Sequence, residues 1–487
     1  MKTWTLCFGP IVAIVVGLIL NSLQFESAIA WTAAITLLVA IWWIFEPIPI
    51  PATSLIPIAL FPVVGVLTPQ QVAAAYGHKL VLLMLGGFML SAAMERCGAH
   101  RRIALGMVSL FGGSSGRRLV FGFMAASAFL SMWISNAATT LMLLPIAMAV
   151  VSQTQNRRLA VSLLLGIAYA ASIGGVGTPI GTPPNLVFMN EFEQSTGESI
   201  TFFGWMKLSM PAVIVMFPIA GWWLTRGLSD IDEIKLPDVG SWRSEEVRTL
   251  FVFVITALLW MFRQQPFGGW QGLAASLGLP LTHANDASVA LVGALMLFLI
   301  PRGGSTDSVG SNAVSESNQS EDSEKLVSTP SSAMLLDWKT AQTIPWGILI
   351  LFAGGICIAS AFKSSGLSEQ LGGLVAGLGE LPTILLIASI CLTVTFLTEV
   401  TSNTATTQLL LPILATAAIA AAIDPKVFMV PATISASFAF MLPVATPPNA
   451  IVFGSQKITI RDMVREGIVL NLIGVVIVSA LCYLQFR

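Results

Sequence analysis

The chain has 487 residues, of which 55% are hydrophobic and 10% charged, and its formal net charge is −1. Lipid rather than water is the solvent for most of such a chain, so it reads as an all-α polytopic membrane protein. The absence of a concentrated basic surface argues against a nucleic-acid partner.

From the N-terminus, Lys2, the apolar run Gly9–Leu20 and Ala28-Ile29-Ala30 imitate a cleavable signal peptide. A second apolar stretch follows at once, so the run is read as an uncleaved first span. Spanning runs fall near 8–25, 28–45, 50–67, 77–94, 159–190, 207–225, 248–263, 285–301, 343–361, 426–454 and 466–485, which gives eleven crossings. Glu46, in Glu46-Pro47-Ile48-Pro49, stands at a span end and is assigned an interfacial position. His78, His100 and His283 lie near loop edges and read as solvated or interfacial. Cys7, Cys97, Cys357, Cys391 and Cys482 are scattered, with no C-x-x-C spacing, so neither a disulfide framework nor a metal site is read from them. Gly112–Gly116 fits the G-x-S-x-G esterase pattern, but an Arg-flanked loop without a preceding strand does not build a nucleophile elbow, and no enzyme is read.

Two further apolar segments, 119–152 and 381–422, are each split by the same polar phrase: Ser135-Asn136-Ala137-Ala138-Thr139-Thr140 and Ser402-Asn403-Thr404-Ala405-Thr406-Thr407. The arms, about 15 residues each, suit re-entrant hairpins better than crossings. Each copy is followed by a second matched phrase that interrupts a span, Gly181-Thr182-Pro183-Pro184-Asn185 and Ala445-Thr446-Pro447-Pro448-Asn449. Paired interruptions at equivalent points of two halves point to a transporter's substrate site. Between the halves, 303–332 is rich in Ser, Asn, Glu and Asp and reads as a flexible cytoplasmic linker.

Sidedness tests the count. With the N-terminus in the cytoplasm, only Lys79, Lys207, Arg263, Lys363, Lys426 and Arg487 of the 24 Lys and Arg fall outside, a three-to-one bias, and the C-terminus is outside. Arg117-Arg118 and Arg157-Arg158 flank the first split segment and place both its ends in the cytoplasm. An odd number of crossings separates the hairpins, so the second half is inverted relative to the first and the two tips meet near the midplane.

Helix N-termini at the tips offer free N–H groups and partial positive charge to a carboxylate or other oxyanion. Unwound Thr-Pro-Pro segments and Ser, Thr and Asn oxygens suit a small hard cation such as Na⁺. Neither tip nor either Pro-Pro break contains Lys or Arg, so cations bound beside an anionic substrate would offset its charge. Glu399, one residue after Thr398, reads either as a buried tuned carboxylate or as one facing a wet cavity.

The doubled Ser-Asn and Thr-Pro-Pro phrases, with Glu46-Pro47-Ile48-Pro49, resemble the divalent anion/sodium symporter family, close to its bacterial INDY-type dicarboxylate transporters. The resemblance runs from about Trp42 to the end. It implies an inner-membrane homodimer whose protomers carry a scaffold and an elevator-like transport domain. The corresponding division is 1–117 scaffold, 118–230 first transport half, 231–362 second scaffold part, and 363–487 second transport half. By motif position, at least two Na⁺ are expected: one at Ser131, Ser135, Asn136 and the Gly181 carbonyl, the other at Thr398, Ser402, Asn403 and the Ala445 carbonyl. A small dianionic substrate would meet Ser135-Asn136 and Ser402-Asn403-Thr404, with Thr182-Pro183 and Thr446-Pro447 lining the pocket. The implied activity is Na⁺-coupled symport of succinate, malate or fumarate, with dicarboxylate exchange, or sulfate or citrate transport, as the alternatives. Ala137 departs from the family's usual Ser-Asn-Thr and lacks a hydroxyl for one end of the substrate.

Overall fold

The computed structural model describes residues 2–111, 115–154, 156–228, 240–264, 268–281, 283–303, 333–370 and 382–487. Most of the linker read at 303–332 and the core of the G-x-S-x-G match therefore lie outside the described residues. The described chain is helical apart from one isolated bridge between Pro301 and Met334, which brings the two ends of the linker together.

Among the described residues, eight helical stretches are long and apolar enough to cross a membrane. The expected spans 50–67 and 285–301 take the form of the shorter helices Ile50–Val63 and Asp286–Leu299. Each split segment is a pair of helices joined by a short turn, Gly116–Ser131 with Asn136–Ser152 and Thr383–Thr398 with Asn403–Ala420. The expected spans 159–190 and 426–454 are broken, into Arg157–Gly175 with Pro183–Thr196 and Lys426–Ser437 with Pro447–Gly454. Proline explains where the second pieces begin, because Pro at the first two helical positions has no N–H to lose and its φ is already helical.

The pieces cross over. Pro183–Thr196 packs on the second hairpin arm Asn403–Ala420 and on Lys426–Ser437, while Pro447–Gly454 packs on Asn136–Ser152 and Arg157–Gly175. Each half thus completes the other. Arg157–Gly175, with 94% of its span buried, is the central helix, and Gly116–Ser131 lies along it at very short range. Gly174 is needed for that approach, since a Cβ there would stand 2.1 Å from Ala128 O. On one rim, buried Glu466 accepts from Arg158 and is ion-paired with Arg226, both at 2.8 Å, and ties three helices together. His100 departs from the solvated position expected of it: it is buried, with Nδ1 3.0 Å from Met94 O.

Gly174→Ala should force the hairpin off the central helix and lower stability by about 1–3 kcal/mol. Gly454→Ala, with nothing within 4 Å of the added carbon, should be neutral. Thermal unfolding of the two purified variants in detergent checks the contrast.

Candidate functional site

Four helices begin around one cavity of about 810 Å³: those starting at Asn136, Pro183, Asn403 and Pro447. Ser135, Asn136, Gly181, Thr182, Pro183, Ser402, Asn403, Thr404, Ala445, Thr446 and Pro447 all line it. Ser131 and Thr398 do not; they are fully buried behind the tips. The facing wall comes from Glu46, Ile50, Met84, Phe88, Ile348 and Leu351 among others. Glu46, assigned to an interface from sequence, is exposed at a helix end and also lines the cavity.

The four starts are not equivalent. The Pro-Pro starts lack two N–H groups each, so they contribute dipole but few donors. The first helical N–H groups of the hairpin tips have no backbone partner within their own helices. At the first tip Ser135 Oγ takes only the N–H of Ala138, at 3.1 Å. The hairpin tips are therefore the richer source of free donors for an anion, with the Pro-Pro helices adding positive potential.

Breaking a helix in an apolar body frees carbonyls that must be paired. In the first break Asn185 Nδ2 donates to Gly175 O (3.0 Å), Val176 O (3.3 Å) and Thr178 O (2.7 Å). Trp205 Nε1 also donates to Val176 O, at 2.9 Å, and Thr178 Oγ1 donates to Met132 O at the hairpin tip. In the second break Asn449 Nδ2 donates to Ala439 O (3.1 Å) and Leu442 O (3.0 Å). Asn185 and Asn449 were part of the matched phrases, but only the fold reveals what they do.

The first candidate cation position is compact. The end of the Asn136 carboxamide sits beside Ser131 Oγ, 3.2 Å from Gly181 O and 3.3 Å from Ala171 O. With nitrogen outward it donates to them; turned over, its oxygen completes a cluster of four oxygens, a hard-donor set that fits Na⁺. Glycine permits the cluster, since a Cβ on Gly175 would lie 2.5 Å from Asn136 Oδ1 and one on Gly181 2.3 Å from Gly175 O.

The second position is arranged differently. Asn403 Oδ1 accepts from its neighbour Thr404 N at 2.7 Å, and Thr398 Oγ1 donates to Ala436 O at 3.1 Å. Here a carboxylate does what Thr178 does in the first half. Glu399, 2% exposed, accepts from Met441 N and Leu442 N, both at 2.9 Å, and from Asn471 Nδ2 at 2.6 Å. Asn471 Oδ1 in turn accepts from Phe440 N at 3.1 Å. Of the two readings of Glu399, the buried one holds, and three donors compensate its charge. Asn471 was missed from sequence: a lone Asn in an apolar helix carries no positional signal until its partner is known.

Asn471→Leu would leave Glu399 and the N–H of Phe440 short of partners and should cost about 3 kcal/mol or more. A fall in melting temperature well beyond that of Asn21→Leu, at the exposed end of the first helix, would be the expected readout.

A family model described as the sodium:sulfate symporter transmembrane region matches residues 1–485. The sodium-dependent dicarboxylate transporter SdcS of Staphylococcus saprophyticus is 36% identical over 501 residues, covering 98% of this chain and 90% of that protein. SdcS of Staphylococcus aureus is 37% identical over 500 residues, with the same coverage. The crystal structure of the Alcanivorax borkumensis YdaH transporter is similar in fold, with a TM-score of 0.57 over 88% of this chain and 87% of that one, at 13% identity.

Proposed function

Since the chain belongs to the sodium:sulfate symporter family, we propose that it is a Na⁺-coupled symporter of C4-dicarboxylates. The observation that carries this reading is the convergence of four helix N-termini on a cavity whose lining contains no Lys or Arg. Partial charges at helix ends attract carboxylates but do not neutralise a dianion, so cations must enter with it. The oxygen cluster around Asn136 supports one Na⁺ position and the equivalent residues Thr398, Ser402, Asn403 and the Ala445 carbonyl a second. Two Na⁺ with one succinate make a load of zero net charge, which lowers the cost of carrying it through lipid-enclosed protein.

In this reading both hairpins are re-entrant, 118–230 and 363–487 move together, and 1–117 with 231–362 form the wall they move against. The crossed packing of the broken helices supports a single moving unit, because neither half is complete alone. The charge bias puts Glu46 and Pro345, which line the cavity, on the cytoplasmic side. On the opposite side Lys79 pairs with Glu193 at 2.5 Å and Lys363 Nζ donates to Gln194 O at 3.4 Å. This arrangement fits an inward-open state held closed on its outer face by polar contacts.

Labelled succinate uptake by the purified protein in liposomes tests the proposal. An inward Na⁺ gradient should drive uptake and a matched K⁺ gradient should not; uptake that needs only internal dicarboxylate would identify an exchanger. Competition by sulfate but not succinate would point to an inorganic dianion. Asn136→Ala and Asn403→Ala should each abolish Na⁺-driven uptake while leaving the melting temperature within a few degrees of the parent. Ala137→Thr, which restores a hydroxyl at the first tip, should change the preference among succinate, malate and fumarate by roughly 10-fold, read as the ratio of their KM values.

A further inference from the structure

Glu46 is the one charged side chain among the described residues that line the cavity, and its charge has the same sign as the substrate's. It is exposed, and no ion pair or hydrogen bond to another described residue occupies its carboxylate. Its backbone is left-handed, φ 46° and ψ 52°, where it closes the helix Ser27–Phe45 through N–H to Trp42 O at 3.0 Å. Gly or Asn suits that cap; Glu does not, and the following Pro47 disfavours helical geometry further. A residue held in a costly conformation, with its side chain in the ligand cavity, is better explained by what the side chain does there than by the turn it makes. Pro47-Ile48-Pro49 then stiffens the chain that carries it.

We propose that Glu46 sets the order of binding: a fixed negative charge on the wall facing the hairpin tips, it concentrates Na⁺ in the cavity and repels the dianion until cations have bound. The proposal rests on the symport reading above. A low-dielectric cavity focuses such a charge, and clefts lined by one sign raise the local counter-ion concentration and its entry rate by about 10-fold or more. The hairpin tips, by contrast, carry no formal charge and bind by geometry. Without Glu46 the helix ends alone would admit the dianion before Na⁺, and the coupling would loosen.

The test uses the full chain in liposomes, with Glu46→Gln and Glu46→Asn compared with the parent. Glu46→Asn removes the charge while supplying a residue that tolerates the left-handed cap, so it keeps the question answerable if Glu46→Gln folds poorly. At low ionic strength both variants should raise the Na⁺ concentration for half-maximal succinate uptake about 3- to 10-fold. Both should also lower the succinate KM at sub-saturating Na⁺, and Glu46→Asp should restore parental behaviour. Choline chloride at about 0.5 M, which shortens the Debye length to a few ångströms, should shrink the differences; a purely structural effect would not respond to it. Parental Na⁺ dependence in Glu46→Asn, or a shift unmoved by salt, would overturn the role assigned to Glu46 while leaving symport standing. Parental uptake indifferent to Na⁺ would overturn the symport reading and this proposal together.

Discussion

An anion has to be held inside an apolar protein without a cationic side chain, and the backbone meets that constraint by starting helices where they are needed. Four N-termini reach the same cavity because four apolar stretches are each broken into two helices by a short connection. Every later feature follows from this. Each interruption frees carbonyls, and each must be paired in a region where water is scarce.

The two halves solve the pairing with one shared device and one private device. Asn185 and Asn449 occupy matching places after Pro-Pro and gather the loose carbonyls of their own breaks. The hairpin tip is then joined to the break by a hydroxyl in the first half, Thr178 to Met132 O, and by a carboxylate in the second, Glu399 to the N–H groups of Met441 and Leu442. The repeat is therefore symmetric in path and asymmetric in charge. The two proposed cation positions differ accordingly: Asn136 faces a ready-made group of oxygens, whereas Asn403 turns its oxygen to the start of its own helix.

Elsewhere, several buried charges are kept in pairs. Glu466 is held between Arg158 and Arg226, Arg102 is bound to Glu246 at 2.8 Å, and Arg263 to Asp286 at 2.6 Å, all away from the cavity. A buried charge without a partner is expensive, so these pairs stabilise helix ends and leave the cavity's potential to backbone dipoles and Glu46. The separation matters for coupling, because a permanent cation at the tips would bind the dianion without Na⁺.

Much of this was legible in the chain itself. Composition determined the solvent, and the doubled Ser-Asn and Thr-Pro-Pro-Asn phrases located both tips and both breaks, because proline and N-cap chemistry act locally and leave a local signature. Of the residues those phrases pointed to, Ser135, Asn136, Gly181, Thr182, Pro183, Ser402, Asn403, Thr404, Ala445, Thr446 and Pro447 line one cavity, and Ser131 and Thr398 lie behind it. What tertiary structure alone decided was contact between residues distant in sequence: Glu399 with Asn471 across 72 positions, the crossing of each broken helix into the opposite half, and the placement of Glu46 on the cavity wall. A hydropathy pattern records which solvent a residue meets, not which neighbour it meets, so these partners became visible only when the chain was folded.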